Sequence, residues 1–296
     1  MTGPIGSIGF VGLGVMGEPM CRNIATRSGR PVVAYDMSSA PLARLERHGV
    51  AAAGSAAAVM RAADIVLLCL PGGPQLEAVC RGPSGLLASA RPGQVVIDHG
   101  TSPVSLTREL AAEFAAIGVA YADAPIARTR AAAEAGTLSI TVGADQATLD
   151  TIRPILACCA EEITHCGPVG TGQVVKQMNN MVLFQTVVAL SEALAIARAA
   201  GVEGAVLFDA LTKGSADSFA LRNHGMKAVL PDAFPERAFS TEYALKDLAY
   251  ALDLAAQSGI EPRGAEIARD YLNRAVEQGN GKLYWPVIAR AVATKG

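Results

Sequence analysis

The chain has almost no excess of charge. Its 296 residues hold 25 lysines and arginines against 27 aspartates and glutamates, a formal net charge of −2. A nucleic-acid or anionic-membrane partner therefore has no electrostatic support. The six cysteines (Cys21, Cys69, Cys80, Cys158, Cys159 and Cys166) lack both zinc-ligand spacing and the spacing of a disulfide framework. A chain this long needs no covalent staples, so they read as reduced thiols of a cytoplasmic protein. The four histidines (His48, His99, His165 and His224) are scattered and suggest no metal site. No uninterrupted apolar run is long enough to span a bilayer. The best candidate, Met181–Leu190, is short and broken by Gln185. The N-terminus lacks a basic region followed by an apolar run and a small-residue cleavage site, so no secretion signal is expected. No internal repeat is present, and the length suggests one large or two medium domains.

What is present begins almost at residue 1. The apolar stretch Ile5–Val11 runs into Gly12-Leu-Gly14-Val-Met-Gly17, and a helix-like segment follows. Gly12 permits the tight turn out of a strand, Gly14 lets backbone approach a pyrophosphate, and Gly17 lets the helix lie on the sheet. With Leu13, Val15 and Met16 they make a cradle at a helix start, where unpaired N–H groups and the positive dipole end face the phosphates. A second apolar stretch, Pro31–Tyr35, ends at Asp36. That acid lies about 20 residues beyond the glycines, where it hydrogen-bonds the ribose hydroxyls. A carboxylate there repels a 2′-phosphate, so the expected cofactor is NAD rather than NADP.

Two halves have different rhythms. In the first, strands are expected at Asp64–Leu70, Gln94–Asp98, Val119–Ala122, Leu138–Val142 and Ile163–His165, alternating with helical stretches. The alanine-rich stretch Ala51–Ala63 reads as an ordinary helix. Such alternation builds an α/β fold, a Rossmann-type doubly wound parallel sheet with helices on both faces. Ligands of such sheets sit beyond the carboxyl ends of the strands. The loops there include Leu70-Pro71-Gly-Gly73-Pro74, Asp98–Pro103 and Asp123–Pro125, so Leu70, Pro71 and Thr101 are expected at the cofactor. The breaker segment Gly167–Gly172 then opens a different half. From Gln173 to Ala200 there is no glycine or proline, enough for one helix of ~40 Å. It carries no charge between Lys176 and Glu192, so it should be buried from most sides, between domains or subunits. Helical spacing continues at Val206–Leu211, Ala244–Ser258 and Arg263–Glu277. The expected organisation is a dinucleotide-binding domain over 1–166 and an all-α substrate and oligomerisation domain over 167–296, joined by the long helix.

Lys176 is the chemical group of that helix. Asn179 and Asn180 follow at three and four residues and share its face. An ammonium among apolar side chains is costly, and desolvation lowers a lysine pKa. A lysine so tuned can take or return the hydroxyl proton that accompanies hydride transfer, with an asparagine orienting the substrate oxygen. The competing reading is a lysine whose stem packs and whose head reaches water.

Four motifs together resemble the β-hydroxyacid dehydrogenases, relatives of 6-phosphogluconate and 3-hydroxyisobutyrate dehydrogenases. They are Ile8-Gly-Phe-Val-Gly-Leu-Gly-Val-Met-Gly17, Asp123-Ala-Pro-Ile-Ala-Arg-Thr129, Gly167-Pro-Val-Gly-Thr-Gly-Gln-Val-Val-Lys-Gln-Met-Asn-Asn180 and Lys246-Asp247. The resemblance implies a catalytic Lys176, a substrate-orienting Asn180, a Lys246 facing a closed interdomain cleft at the cofactor, and an oligomer, dimer or tetramer, built on the helical half. The chain departs from the family at its substrate segment. Many members read Asp-x-Pro-Val-Ser-Gly-Gly, and their Ser-Gly-Gly holds the substrate carboxylate. Here Ala127, Arg128 and Thr129 stand in those places. An arginine forks onto an anion with two hydrogen bonds, so Arg128 and Thr129 are expected to hold a carboxylate, sulfonate or phosphonate. The arginine also resembles the Pro-Val-Gly-Arg-Thr-Ser version in sulfolactaldehyde reductases, but the serine that subgroup carries after the paired asparagines is Leu183 here. At Asp98-His-Gly-Thr-Ser-Pro103, Gly100 replaces a serine while Thr101 keeps a hydroxyl near the nicotinamide, and His99 reads as structural. Phe184 and Phe239 read as core.

The expected protein is thus a cytoplasmic NAD(H)-dependent oxidoreductase with a small anionic substrate, interconverting a β-hydroxy acid and its semialdehyde or keto acid. A sulfolactaldehyde-type reductase acting on a sulfonate is one alternative; imine reduction and a catalytically silent NAD-binding module are the others. Both usually lack the lysine that this chain has.

Overall fold

The computed structural model of the chain describes residues 6–236 and 238–293. The chain folds as two compact units that divide between Lys176 and Gln177. In the first, β1 (Ile8–Val11) leads to α1 (Gly17–Arg27), β2 (Val32–Tyr35), α2 (Ser39–Glu46), β3 (Val50–Ala52), α3 (Ala56–Ala62) and β4 (Ile65–Leu68). Then come α4 (Gly73–Arg81), the single turn α5 (Leu86–Ser89), β5 (Val95–Asp98), α6 (Val104–Ala116) and β6 (Ala120–Asp123). The short β7 (Ile126–Ala127), α7 (Arg130–Ala135), β8 (Leu138–Gly143), α8 (Gln146–Leu156) and β9 (Ala160–Gly167) complete the unit.

The strands order as β3-β2-β1-β4-β5-β6-β8-β7, with β9 also on β8. Strands β1 to β6 are parallel. β1, β4 and β5 are buried on both faces, which is why they read as unbroken apolar runs. Side chains alternate between two cores. Ile8, Phe10, Ile65, Leu67 and Ile97 enter one, and Val11, Val66, Leu68 and Val96 enter the other.

Beyond β6 the sheet changes direction. β8 is antiparallel to β6, with Asp123 opposite Gly143, and to β7, with Ile126 opposite Ile140. β7 therefore prolongs the line of β6 past the ends of the parallel strands, and β8 with β9 forms an arm beside it.

Ala51–Ala63 is not one helix. Val50–Ala52 pairs in parallel with β2, Val50 pointing into the core, and the helix begins only after Ser55, whose hydroxyl accepts from the Ala58 N–H at 3.1 Å. Here strand pairing overrides the helical preference of alanine.

The second unit is helical. α9 (Thr171–Ala199) starts in the first unit and supplies the second with its first helix. α10 (Gly204–Leu211), α11 (Thr241–Gln257) and α12 (Arg263–Ala275) fall where the spacing places them. A π-wound stretch, Leu221–Val229, departs from the regular spacing and was not expected. Phe184, fully buried, packs on Phe239 and edge-on against Trp285.

Two expectations about α9 need correction. By length and composition it is apolar enough to cross a membrane, because the apolar residues are spread over 29 positions rather than gathered in one run. The core helix of a folded protein meets the same description. Within the single chain it is not buried from most sides. Val175, Val182, Ala189 and Ile196, seven residues apart, form an exposed stripe, with Val182 57% and Ile196 69% accessible.

Candidate active site

The glycine cradle follows from steric exclusion. Gly12 adopts φ +93°, and a Cβ there would strike the Cys69 carbonyl. A Cβ on Gly17 would strike the carbonyl of Gly12. Gly14 is the opposite case: nothing lies within 4 Å of where its Cβ would be. Two glycines thus hold the turn tight against the sheet, and the third leaves open space. No side chain caps α1; the Glu18 and Met20 N–H groups donate to the Gly14 and Met16 carbonyls, and the positive end of the helix faces the turn. Leu13 is buried, Val15 exposed and Met16 half-buried. Asp36, at the end of β2, accepts from the Leu13 N–H at 2.6 Å and from the Ser38 N–H at 2.8 Å. The carboxylate is thereby fixed beside the cradle. These residues fit a dinucleotide: pyrophosphate at Gly14 and the start of α1, adenosine ribose at Asp36. Leu70, half-buried, and Pro71, exposed, follow β4.

A buried polar crosspiece links the strand ends to α9, and sequence reading missed its meaning. Asp123, fully buried, accepts from the Gly170 N–H at 2.6 Å and the Gln173 N–H at 2.7 Å. It satisfies N–H groups at the start of α9 that would otherwise be orphaned. Gly143 and Gly172 are glycines because a Cβ on either would collide with the Asp123 carboxylate. Burial pushes the Asp123 pKa up to about 6, against the pull of its N–H donors. Gln173, also fully buried, donates to the Gly100 carbonyl at 2.8 Å and accepts from the Ser102 N–H at 3.1 Å. Asp98 accepts from the Gly100 N–H at 2.8 Å and the Ser102 hydroxyl at 3.0 Å. The loop carrying Thr101 is therefore pinned to the first turn of α9. The available signal was two adjacent strands both ending in aspartate, before a helix start with no capping side chain.

His99 is structural, as expected. It is buried, its Nδ1 lies 2.7 Å from the Ala124 carbonyl, and burial holds its pKa down to about 4. The folded value lies below the unfolded one of about 6.5, so the stability it contributes is present above that pH and is lost as pH falls towards 4. The stability advantage of the wild type over His99→Asn should shrink by up to roughly 3 kcal/mol between pH 7 and pH 4, read from urea unfolding at each pH. An advantage that stays level would refute the neutral buried imidazole.

Lys176 is half-buried rather than buried. It lies between the buried edge of Gln173 and Gln177 and the exposed edge of Val175 and Asn179. Further along α9, Asn179 donates to the Asn180 side-chain oxygen at 3.1 Å, and buried Asn180 donates to Asp247 at 2.8 Å. Asp247 also accepts from Lys246 at 2.7 Å, and the Lys246 ammonium sits 4.8 Å from the Tyr250 ring centre. The two asparagines and the Lys-Asp pair thus form one hydrogen-bonded row within the helical unit. Arg128 and Thr129 lie at the end of β7, both exposed, Thr129 in the N-cap position of α7. Arg128 pairs with Glu161 of β9.

Comparison with known proteins now decides the family. Residues 7–167 match the family model described as the NAD binding domain of 6-phosphogluconate dehydrogenase. Residues 170–287 match the one described as NAD-binding of NADP-dependent 3-hydroxyisobutyrate dehydrogenase. The chain belongs to the β-hydroxyacid dehydrogenase family. A 2-(hydroxymethyl)glutarate dehydrogenase of Eubacterium barkeri is 33% identical over 253 residues, covering 86% of this chain and 83% of that one. An NAD-dependent L-serine dehydrogenase of Pseudomonas aeruginosa is 31% identical over 288 residues, 96% of this chain and 96% of that one. The solved structure of a Mycobacterium tuberculosis 3-hydroxyisobutyrate dehydrogenase with L-serine matches with a TM-score of 0.89 at 32% identity, over 98% of this chain and 100% of that one. This β-hydroxyacid dehydrogenase is an NAD-dependent enzyme acting on the hydroxyl group of a hydroxy acid.

Proposed function

We propose that the protein interconverts a small β-hydroxy acid of the form HOCH2–CH(R)–COO− and its semialdehyde, with Lys176 as general acid and base. One observation carries this reading. The first turn of α9 is fixed by Asp123 and Gln173 to the ends of β5 and β6, and Lys176 follows three residues on, about 4.5 Å along the helix axis. The amine is thus anchored to the same unit as the dinucleotide cradle.

In oxidation, neutral Lys176 takes the proton of the substrate hydroxyl. In reduction its ammonium returns that proton to the carbonyl oxygen. NAD, when bound, supplies the hydride acceptor. Asn180, locked by Asp247, presents an amide of fixed orientation to the substrate oxygen, and Asn179 steadies it. Arg128 and Thr129 hold the anionic end. Lys246, held by Asp247, stays on the same row.

The substrate form rests on what the relatives share. The molecules named for them, 3-hydroxyisobutyrate, 2-(hydroxymethyl)glutarate and L-serine, are all primary alcohols with a carboxylate one carbon further on. The apolar stripe of α9 supports a homodimer or homotetramer joined through that helix.

The test is NAD reduction with those three acids and with 3-hydroxypropionate, beside simple alcohols of equal length. Turnover of at least one acid, and none of the uncharged alcohols, is expected. Equal turnover of acids and alcohols, or none at all, would refute the reading.

A further inference from the structure

Arg128 occupies backbone that side chains avoid. Its φ is +82°, a left-handed value that glycine adopts freely and other residues rarely. Its guanidinium is held in an uneven way. Nη1 alone carries two hydrogen bonds, to the Thr137 carbonyl at 2.6 Å and to Glu161 Oε2 at 2.7 Å. Thr137 immediately precedes β8 and Glu161 lies near the start of β9, so both anchors belong to the arm beyond β6. Among the described residues, Nε and Nη2 have no hydrogen-bond partner. The side chain remains 33% exposed.

The Nε–Nη2 edge is one of the two forks by which a guanidinium takes both oxygens of a planar carboxylate. Fixing Nη1 holds the plane of the group and spends the end-on fork. The side-on fork stays open. Glu161 also brings a negative charge onto the same guanidinium. One added carboxylate then meets an arginine that is already partly balanced. A dianionic tetrahedral group adds a second charge and a third oxygen that this edge cannot reach.

We propose that Glu161 is a specificity-determining residue: it orients the Nε–Nη2 edge of Arg128 as a two-point receptor for a planar monoanionic carboxylate and disfavours dianionic tetrahedral groups. This rests on Arg128 holding the substrate's anionic end, and it places carboxylates ahead of dianionic phosphonates in the substrate class. Thr137 contributes only its carbonyl, so Glu161 is the side chain that sets the preference.

Binding to the NAD-loaded enzyme, measured by calorimetry, tests it without any turnover. The probes are 3-hydroxypropionate, 2-hydroxyethanesulfonate and 2-hydroxyethylphosphonate, which share one spacing, at about pH 8.5, where the phosphonate carries close to two charges. The wild type should prefer the carboxylate to the phosphonate by about tenfold or more. Glu161→Gln keeps an acceptor for Nη1 and removes the charge. It should bind the carboxylate within about threefold of wild type and the phosphonate about fivefold to tenfold more tightly. Arg128→Gly should weaken the carboxylate about thirtyfold without lowering the melting temperature, since glycine is at ease at this φ. A preference unchanged in Glu161→Gln would overturn the proposal, as would a wild type that binds none of the probes. So would an Arg128→Gly that melts earlier yet keeps carboxylate affinity, the mark of a structural ion pair. Because nothing here depends on hydride transfer, a shifted preference in an enzyme that oxidises no hydroxy acid would refute the proposed reaction and leave this site standing.

Discussion

Lys176→Ala should lower kcat by about 10^3-fold while NADH affinity stays within about twofold. The two halves of this expectation have separate causes. The cradle that receives the cofactor is built from Gly12, Gly14, Gly17 and Asp36 on β1, α1 and β2, and none of these depends on position 176. Among the described residues of the site the proton step has no ready substitute, since His99 is buried and neutral, Asp98 and Asp123 are occupied by N–H and O–H donors, and Lys246 is tied to Asp247. Lys176→Arg should fail nearly as badly in the oxidising direction, because a guanidinium does not give up its proton at working pH. Stopped-flow measurement of single-turnover hydride transfer, beside NADH fluorescence titration, separates the two effects. A variant with near-normal kcat across pH would remove Lys176 from the proton-transfer role.

Asp123→Ala should cost about 2–6 kcal/mol, because the N–H groups of Gly170 and Gln173 would be left buried without an acceptor, at roughly 1–3 kcal/mol each. For a unit of this size that corresponds to a fall of about 10 °C in melting temperature. The effect should reach beyond stability. With the first turn of α9 released, Gln173 loses its register against Gly100 and Ser102, and the loop bearing Thr101 loses its brace. NADH should then bind more weakly even though Asp123 stands apart from the cradle. Asp123→Asn retains one acceptor oxygen and should fall between the two. Differential scanning calorimetry with an NADH titration checks both parts, and an alanine variant that melts within about 2 °C of wild type would exclude the capping role.

The nucleotide half was legible because its signals are local. A strand, three glycines and an acid lie within one βαβ unit; Gly12 and Gly17 are required by neighbouring backbone, and Gly14 leaves open space. β3 escaped because two of its three residues are alanines, whose chemistry favours helix and whose strand character comes only from lying beside β2. β7 is two residues long and is held as a strand by its partner β8. The crosspiece was illegible for a different reason. Gln173 and Asp98 are 75 positions apart, Gln173 and Asp123 are 50, and only the folded sheet sets Asp98 beside Asp123. Arg128 stood out as a departure from glycine at its place, but the uneven use of its nitrogens needed Thr137 and Glu161 to be positioned. The asparagine pair was visible as a pair. That Asp247, near the far end of the chain, locks Asn180 was not.

The boundary between the units falls directly after Lys176. A gene fusion that kept everything up to that residue and exchanged the remainder would inherit the amine together with the nucleotide fold. Such a lineage could change its helical half while keeping the nucleotide fold intact.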